Sequence, residues 1–248
     1  ALLAARWQSE QFFGLFATGK GVIIIMNIFG NNKVICVCCK ERMSEMNMAV
    51  KYEDIGICTD CIKRFSPIPK DSPADVGEYV NYIVSGFYFN EEIRKLLHRF
   101  KFGYEYRLGE LLAEMIFENI NCVPGIKDFD IAAAIPLSRK RLFQREFNQS
   151  EILADNISKR LGIPFVRCVY RTKHTAAQST LSARERTSNI SNAFIADEKK
   201  VKGKRILLFD DTVTTGATIN ECARELRNKG AKDVVGISAA KVRTKVFC

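Results

Sequence analysis

No apolar run in this 248-residue chain approaches the roughly 20 residues that a membrane-spanning helix needs. Histidine is scarce: His98, in a helical pattern, and His174, in a polar stretch, are the only two, and neither stands out as an acid–base residue. Cysteine is present nine times, an odd number, which excludes an even disulfide framework and points to a reducing, cytoplasmic compartment. The compositional signature of disorder is also missing. With 47% hydrophobic and 27% charged residues the chain is ordinary globular material, long enough for one sizeable core or a core plus a small appendage.

The N-terminal stretch excludes more than it offers. Val22 to Met26 is short and lacks a small-residue cleavage site, which argues against a signal peptide without excluding one. Residues 14–21 half-match a P-loop, but Gly21 stands where a Ser or Thr should bind Mg²⁺, and no strand precedes it. Residues 1–33 are read as an extension for which poor order is the default, with Met26 a candidate start.

Charge is what the chain does have, and it is concentrated. Residues 136–205 hold 16 of the 38 Lys/Arg but only 6 of the 28 Asp/Glu, so the whole net charge of +10 lies there. Such a block suits a polyanion, either a pyrophosphate or a nucleic acid, unless it is simply a solvated basic surface.

Four of the cysteines form a metal pattern. Cys36-x-x-Cys39 is followed eighteen residues later by Cys58-x-x-Cys61. Each pair makes a tight knuckle, and two knuckles complete a closed tetrahedral Zn²⁺ site of structural type. Cys38 competes within the first knuckle with poorer spacing. A zinc ribbon is expected over 34–65, and the Pro/Ser-rich residues 66–76 read as a linker. The main domain then spans 77–248.

Its organising stretch is 205–218, RILLFDDTVTTGAT. Apolar Ile206 to Phe209 runs into Asp210 and Asp211, then a Thr/Gly loop over 212–216, then a helix closed by Gly230. In such a strand–loop–helix unit a phosphate sits at the helix N-terminus. Backbone N–H groups of Thr212, Val213, Thr214, Thr215 and Gly216, with the hydroxyls of Thr214, Thr215 and Thr218, are the candidate cradle. The two ionised acids can accept hydrogen bonds from neighbouring sugar hydroxyls. Around this unit, alternation over 79–90 predicts a strand, Asn90 caps a helix, and Leu108 to Ile116 carry helical spacing. Residues 129–136 predict a buried strand, 150–162 a helix, 164–170 another strand and 233–240 the last. The result is a parallel α/β sheet.

After the strand at 129–136 comes a basic loop over 136–149 with Ser138, Arg139, Lys140, Arg141, Arg145, Asn148 and Gln149. Parallel strands present their carboxyl ends on one edge, so this loop should face the same crevice as 210–216. Phe143 and Phe147 interleave its charges, as base-stacking residues or as ordinary core. The polar stretch 171–194, with Gln178, Arg184, Arg186 and Asn189, reads as a lid or an exposed loop.

The 205–218 stretch resembles the phosphoribosyl-pyrophosphate signature of type I phosphoribosyltransferases, whose fold is a Rossmann-like parallel sheet. That resemblance places Asp210 and Asp211 on the ribose hydroxyls and residues 212–216 with Thr218 on the 5′-phosphate. The four-cysteine knuckles, Lys101-Phe102-Gly103, the P-L-S-x-x-R and R-x-F-N-Q segments, and the hood with Gln178, Arg186 and Asn189 occur together in order with it. Together they resemble the ComF-type competence proteins over about 34–242. The resemblance implies handling of incoming single-stranded DNA during natural transformation, with the phosphoribosyl-pyrophosphate site binding a ligand. The alternative it leaves open is a working Mg²⁺-dependent transferase, in which Asp210 and Asp211 orient the ribose and Arg139 and Lys140 stabilise the leaving pyrophosphate. One position departs from the family: Glu146 stands where the pattern has Gly, which questions any close backbone contact with ligand there.

Overall fold

The structure is a computed structural model, which describes residues 13–17, 23–27, 34–69, 77–121, 125–172 and 192–243. Strands β1 (Phe13–Ala17) and β2 (Ile23–Asn27) pair antiparallel. Strands β3 (Ile35–Cys36), β4 (Met48–Tyr52) and β5 (Ile55–Cys58) form a small sheet in the order β3-β5-β4, closed by the single turn α1 (Thr59–Ile62).

The main sheet comprises β6 (Ile83–Tyr88), β7 (Ile131–Ala134), β10 (Arg205–Val213) and β11 (Asp233–Lys241), all parallel, in the order β6-β11-β10-β7. Between them run α2 (Glu91–Phe102), α3 (Arg107–Asn121), α4 (Arg139–Arg145), α5 (Gln149–Leu161), β8 (Val169–Arg171), β9 (Phe194–Ala196), α6 (Glu198–Val201) and α7 (Ala217–Asn228). Strand β10 is buried on both faces, as a central parallel strand must be. Leu207 and Phe209 pack into a core with α2, α3 and α5, while Ile206 and Leu208 pack with Ile219, Cys222 and Leu226 of α7. Alternation along one strand thus separates two cores.

Local chemistry explains the helix starts. Asn90 accepts a hydrogen bond from Ile93 N at 3.0 Å, and Glu91 and Glu92 follow it at the positive end of α2. Asn148 caps α5 by accepting from Ser150 N at 3.1 Å, and its amide donates to Ile135 O at 3.0 Å, tying the helix start to the end of β7.

Three sequence expectations change. The basic loop is in fact a helix, α4, capped by Ser138, whose Oγ accepts from Arg141 N at 3.4 Å. The strand expected over 164–170 divides: Phe165 bridges β7 in parallel, and β8 then leaves to pair antiparallel with β9. The start of the expected linker is also structured. Tyr88 N donates to Ser66 O at 2.8 Å and Ile68 N to Gly86 O at 2.9 Å, so the chain lies along the free edge of β6. The ribbon is accordingly no tethered appendage. Val34, Val37, Ile57 and Phe65 belong to the same core as α2 and α3, and Arg99 Nη1 of α2 donates to Val37 O at 2.7 Å.

Candidate ligand crevice and metal centre

The carboxyl ends of β7 and β10 lie side by side, with Phe209 opposite Ala134, and the segments that follow them wall a hollow of about 290 Å³. Its lining includes Asp210, Asp211, Thr212, Val213, Thr214, Gly216, Ala217 and Thr218 from the central unit. Lys101, Arg141, Arg145 and Arg171 supply the cations. Acids, phosphate loop and cations therefore share one cavity.

The central unit differs from its sequence reading in one respect. Strand β10 continues through Val213, so Thr212 and Val213 are strand residues, Val213 is buried, and the loop proper is 214–216. Thr214 and Thr215 are exposed at its tip. Gly216 has φ +75, the left-handed region that any Cβ disfavours, and a Cβ there would also meet Ile83 Cδ1 at 3.3 Å. The glycine lets the chain reverse straight into α7, whose first N–H groups face the hollow's edge. A larger neighbouring hollow of about 590 Å³ lies across the same loop, lined by Tyr88, Thr215, Asn220 and Lys241. It contains no carboxylate, so the two acids belong to the smaller hollow.

The two acids have different partners. Asp211 Oδ1 accepts from Lys101 Nζ at 2.9 Å, and Arg145 Nη1 stands 3.9 Å from its Oδ2. Asp210 Oδ1 accepts from Asp211 N at 2.8 Å and from Ser150 Oγ at 3.3 Å. Burial, with the charge of Asp211 next to it, pushes the Asp210 carboxyl up to about 7. Asp210 thus sits near its own midpoint at neutral pH, and a cation entering the crevice would favour its ionised form.

Among the basic residues the structure reassigns roles. Arg139 and Lys140 lie exposed on the first turn of α4 and do not line the hollow. Arg141 and Arg145 do, because residues four apart share one helix face. Gln149 and Asn148 are buried supports: Gln149 Oε1 accepts from Arg145 Nη1 at 2.8 Å and holds that guanidinium over the crevice. Burial draws the Arg145 guanidinium below its usual range, which Asp211 opposes. Ser138 is a helix cap. Phe147 packs on Phe100, ring centroids 5.6 Å apart, while Phe143 is 88% exposed. Gln178, Arg184, Arg186, Asn189 and His174 lie outside the described residues. His98 stands away from the crevice, against Phe102.

Two crevice cations escaped the sequence reading as site residues. Lys101 stands in the Lys-Phe-Gly segment, which marked the end of a helix without showing where that end points. Arg171 sits on β8, its guanidinium 5.2 Å from the Phe194 ring centre, and carried no motif at all.

Glu146 gives a second correction. It caps α4 with φ +65, in the left-handed region. A glycine at this position serves the backbone turn out of the helix, so no contact with ligand is needed to explain it.

In the ribbon, the Sγ atoms of Cys36, Cys39, Cys58 and Cys61 all lie within 4.8 Å of one another, Cys39 and Cys58 at 3.9 Å. A tetrahedral ion with metal–sulfur bonds of about 2.3 Å places its sulfurs about 3.8 Å apart. The donors around the sulfurs suit thiolates: Cys58 N donates to Cys36 Sγ at 3.5 Å and Arg64 Nη2 to Cys61 Sγ at 2.6 Å. The cluster therefore fits a four-coordinate metal with no open position. Cys38 is not part of it, and burial pushes its thiol up to about 11.

Comparison with known proteins agrees with this geometry. Residues 148–247 match the phosphoribosyl transferase domain family. Competence protein F of Haemophilus influenzae is 32% identical over 201 residues, covering 72% of this chain and 87% of that protein. The chain belongs to the ComF family of competence proteins. Competence protein ComFC of Streptococcus pneumoniae is 30% identical over 83% of this chain and 99% of its own length. The DNA utilization protein YhgH of Escherichia coli is 34% identical over 56% of this chain and 63% of its own length. The ComF-family chain thus combines an α/β phosphoribosyltransferase-type fold with an N-terminal four-cysteine ribbon. Among the described residues, no helix is long and apolar enough to cross a membrane.

Proposed function

We propose that this ComF-family protein binds phosphoribosyl pyrophosphate with Mg²⁺ in the crevice and takes part, in the cytoplasm, in handling incoming single-stranded DNA. The observation that carries the ligand is the convergence of Asp210, Asp211, the 214–218 loop and the Arg141/Arg145 face on one hollow. In this reading Thr214 to Thr218 hold the 5′-phosphate, the two acids take the ribose hydroxyls, and Arg141, Arg145 and Arg171 meet the pyrophosphate. Ligand hydroxyls compete with Lys101 for Asp211. Mg²⁺ adds charge neutralisation along the pyrophosphate. The ribbon holds Zn²⁺ structurally. The DNA role rests on the names of the relatives and on the basic block at 136–205.

Thermal shift of the full chain tests both ligands on one sample. A ligand at 100 times its dissociation constant adds about 2.7 kcal/mol of stability and must raise the melting temperature. A shift with phosphoribosyl pyrophosphate plus Mg²⁺, and a separate salt-dependent shift with single-stranded DNA, are expected. No shift with the first removes the ligand assignment; none with the second removes the DNA role.

A second reading is favoured by cations facing the acids across the hollow: a transferase in which Arg141 and Arg145 stabilise the departing pyrophosphate. Pyrophosphate release with an added base or amine, lost in Asp210→Asn/Asp211→Asn, is its signature; no release by the wild-type chain with any acceptor ends it.

A further inference from the structure

The turn that follows α2 exposes three aromatic side chains in five residues. Phe102 is 50% exposed, Tyr104 59% and Tyr106 57%. Ordinary packing does not account for them. Tyr104 is also held at φ +54, a left-handed conformation that a bulky side chain adopts only when something over-determines it. The neighbouring glycine cannot relieve it. Gly103 has an ordinary φ of −94, and a Cβ there would meet Arg99 O at 2.6 Å, so glycine is needed at 103 for space. The left-handed position of the helix exit therefore falls on a tyrosine, at a conformational cost.

This turn adjoins the crevice. The Arg145 guanidinium lies over the Phe102 ring at 5.1 Å while facing Asp211 at 3.9 Å, and His98 packs tilted against Phe102 with ring centroids 5.0 Å apart. Arg145 ends α4, whose outer face carries exposed Arg139, Lys140 and Phe143. Exposed aromatics at the exit of α2 and exposed cations on α4 thus flank the contact that joins the two helices here, Arg145 over Phe102. That arrangement matches a single strand, whose bases stack on π-faces while its phosphates meet Lys and Arg.

We propose that the 102–106 turn, with Tyr104 and Tyr106 as stacking residues and Arg139 and Lys140 as phosphate contacts, is the single-stranded nucleic acid track of this protein, running past the mouth of the crevice. The proposal rests on the DNA reading above but locates it: the strand binds beside the phosphoribosyl-pyrophosphate site, not inside it. Phe102 contacts Arg145 and links the two, whereas Tyr104 and Tyr106 touch only the strand.

The experiment uses the full chain, the Tyr104→Gly and Tyr106→Ala variants and the Arg139→Ala/Lys140→Ala double variant. Fluorescence anisotropy of a labelled oligothymidine reads strand binding, and thermal shift reads phosphoribosyl pyrophosphate binding. Each tyrosine variant should bind the strand about ten- to hundredfold more weakly, the usual loss for one stacking platform. Its shift with phosphoribosyl pyrophosphate should stay unchanged. Tyr104→Gly should at the same time melt higher than wild type, since glycine accepts φ +54 freely. The double variant should lose affinity and reduce the slope of log affinity against log salt by about 1.4. Wild-type strand binding unaffected by either tyrosine variant overturns the track and leaves the DNA reading standing, with the aromatics then a protein-docking surface. No strand binding by wild type overturns both.

Discussion

The ribbon packs along α2 and the crevice takes Lys101 from that helix's last turn, and both sites gather chemical groups from separate stretches of chain. They do so with opposite effects on stability. The ribbon's four sulfurs converge on one point, with N–H donors already on two of them, so a bound metal adds stability there. The crevice places Asp210 and Asp211 side by side with four cations around an open hollow. Asp211 is paired there with Lys101 at 2.9 Å, while burial beside that charge raises the Asp210 carboxyl. One site is closed around its sulfurs; the other stays open and keeps two adjacent acids together at a cost in free energy.

The largest effect should come from attacking the closed site. Chelation of the metal, or Cys58→Ser, removes binding energy that in zinc-finger peptides is about 10–16 kcal/mol and is folding energy. The ribbon core is continuous with α2 and α3, so the whole chain should melt at a lower temperature, read by circular dichroism with metal content measured in parallel. An unchanged melting temperature after metal loss would make the two regions independent and break the contrast.

Next comes the open site. Asp210→Asn with Asp211→Asn should abolish the thermal shift with phosphoribosyl pyrophosphate, a loss of about 10- to 100-fold for each charged hydrogen bond removed. The melting temperature of the free protein should fall far less than in the cysteine variant. A large drop without ligand would show that the acids serve the fold.

The pH dependence sharpens the same comparison. Asp210 is raised to about 7, above its unfolded value near 3.9, so the folded chain holds an extra proton between those limits. Its contribution to stability is therefore lost as pH rises from about 4 through 7. Binding runs the other way, because the ionised acid is the one that accepts sugar hydroxyls. Affinity for phosphoribosyl pyrophosphate should rise across pH 7, and Asp210→Asn should flatten both trends. A stability that climbs with pH in wild type relative to Asp210→Asn would contradict the assigned shift.

The smallest effect concerns Glu146. Replacing it by glycine should stabilise the chain by about 1 kcal/mol, the usual relief for a residue held at positive φ. Binding in the crevice should not change, as measured by urea denaturation and thermal shift together. Loss of ligand binding in this variant would mean that the Glu146 side chain acts in the site.

Much of this was legible in the chain order. The Cys36/Cys39 and Cys58/Cys61 spacing describes two knuckles, and the run at 205–218 describes a strand ending in two acids, a threonine–glycine loop and a helix, because both depend on residues close in sequence. Local pattern failed at 136–149. Ser138 caps a helix there, and the helical turn carries Arg139 and Lys140 outward while Arg141 and Arg145 face inward. Lys101 and Arg171 were invisible as site residues because each reaches the crevice from a distant element. Gln149 looked like a ligand contact but holds Arg145 in place.

The sequence alone determined the types of chemistry present: four thiolates at metal spacing, two adjacent acids, a threonine–glycine loop and a basic block. Those are properties of neighbouring residues and need no fold to be read. Only tertiary structure decided which cations face the acids, that the ribbon is fused to the core and not tethered, and that Tyr104 holds a left-handed backbone at the exit of α2. Each of these depends on where a helix ends in space, which is set by packing between elements far apart in the chain.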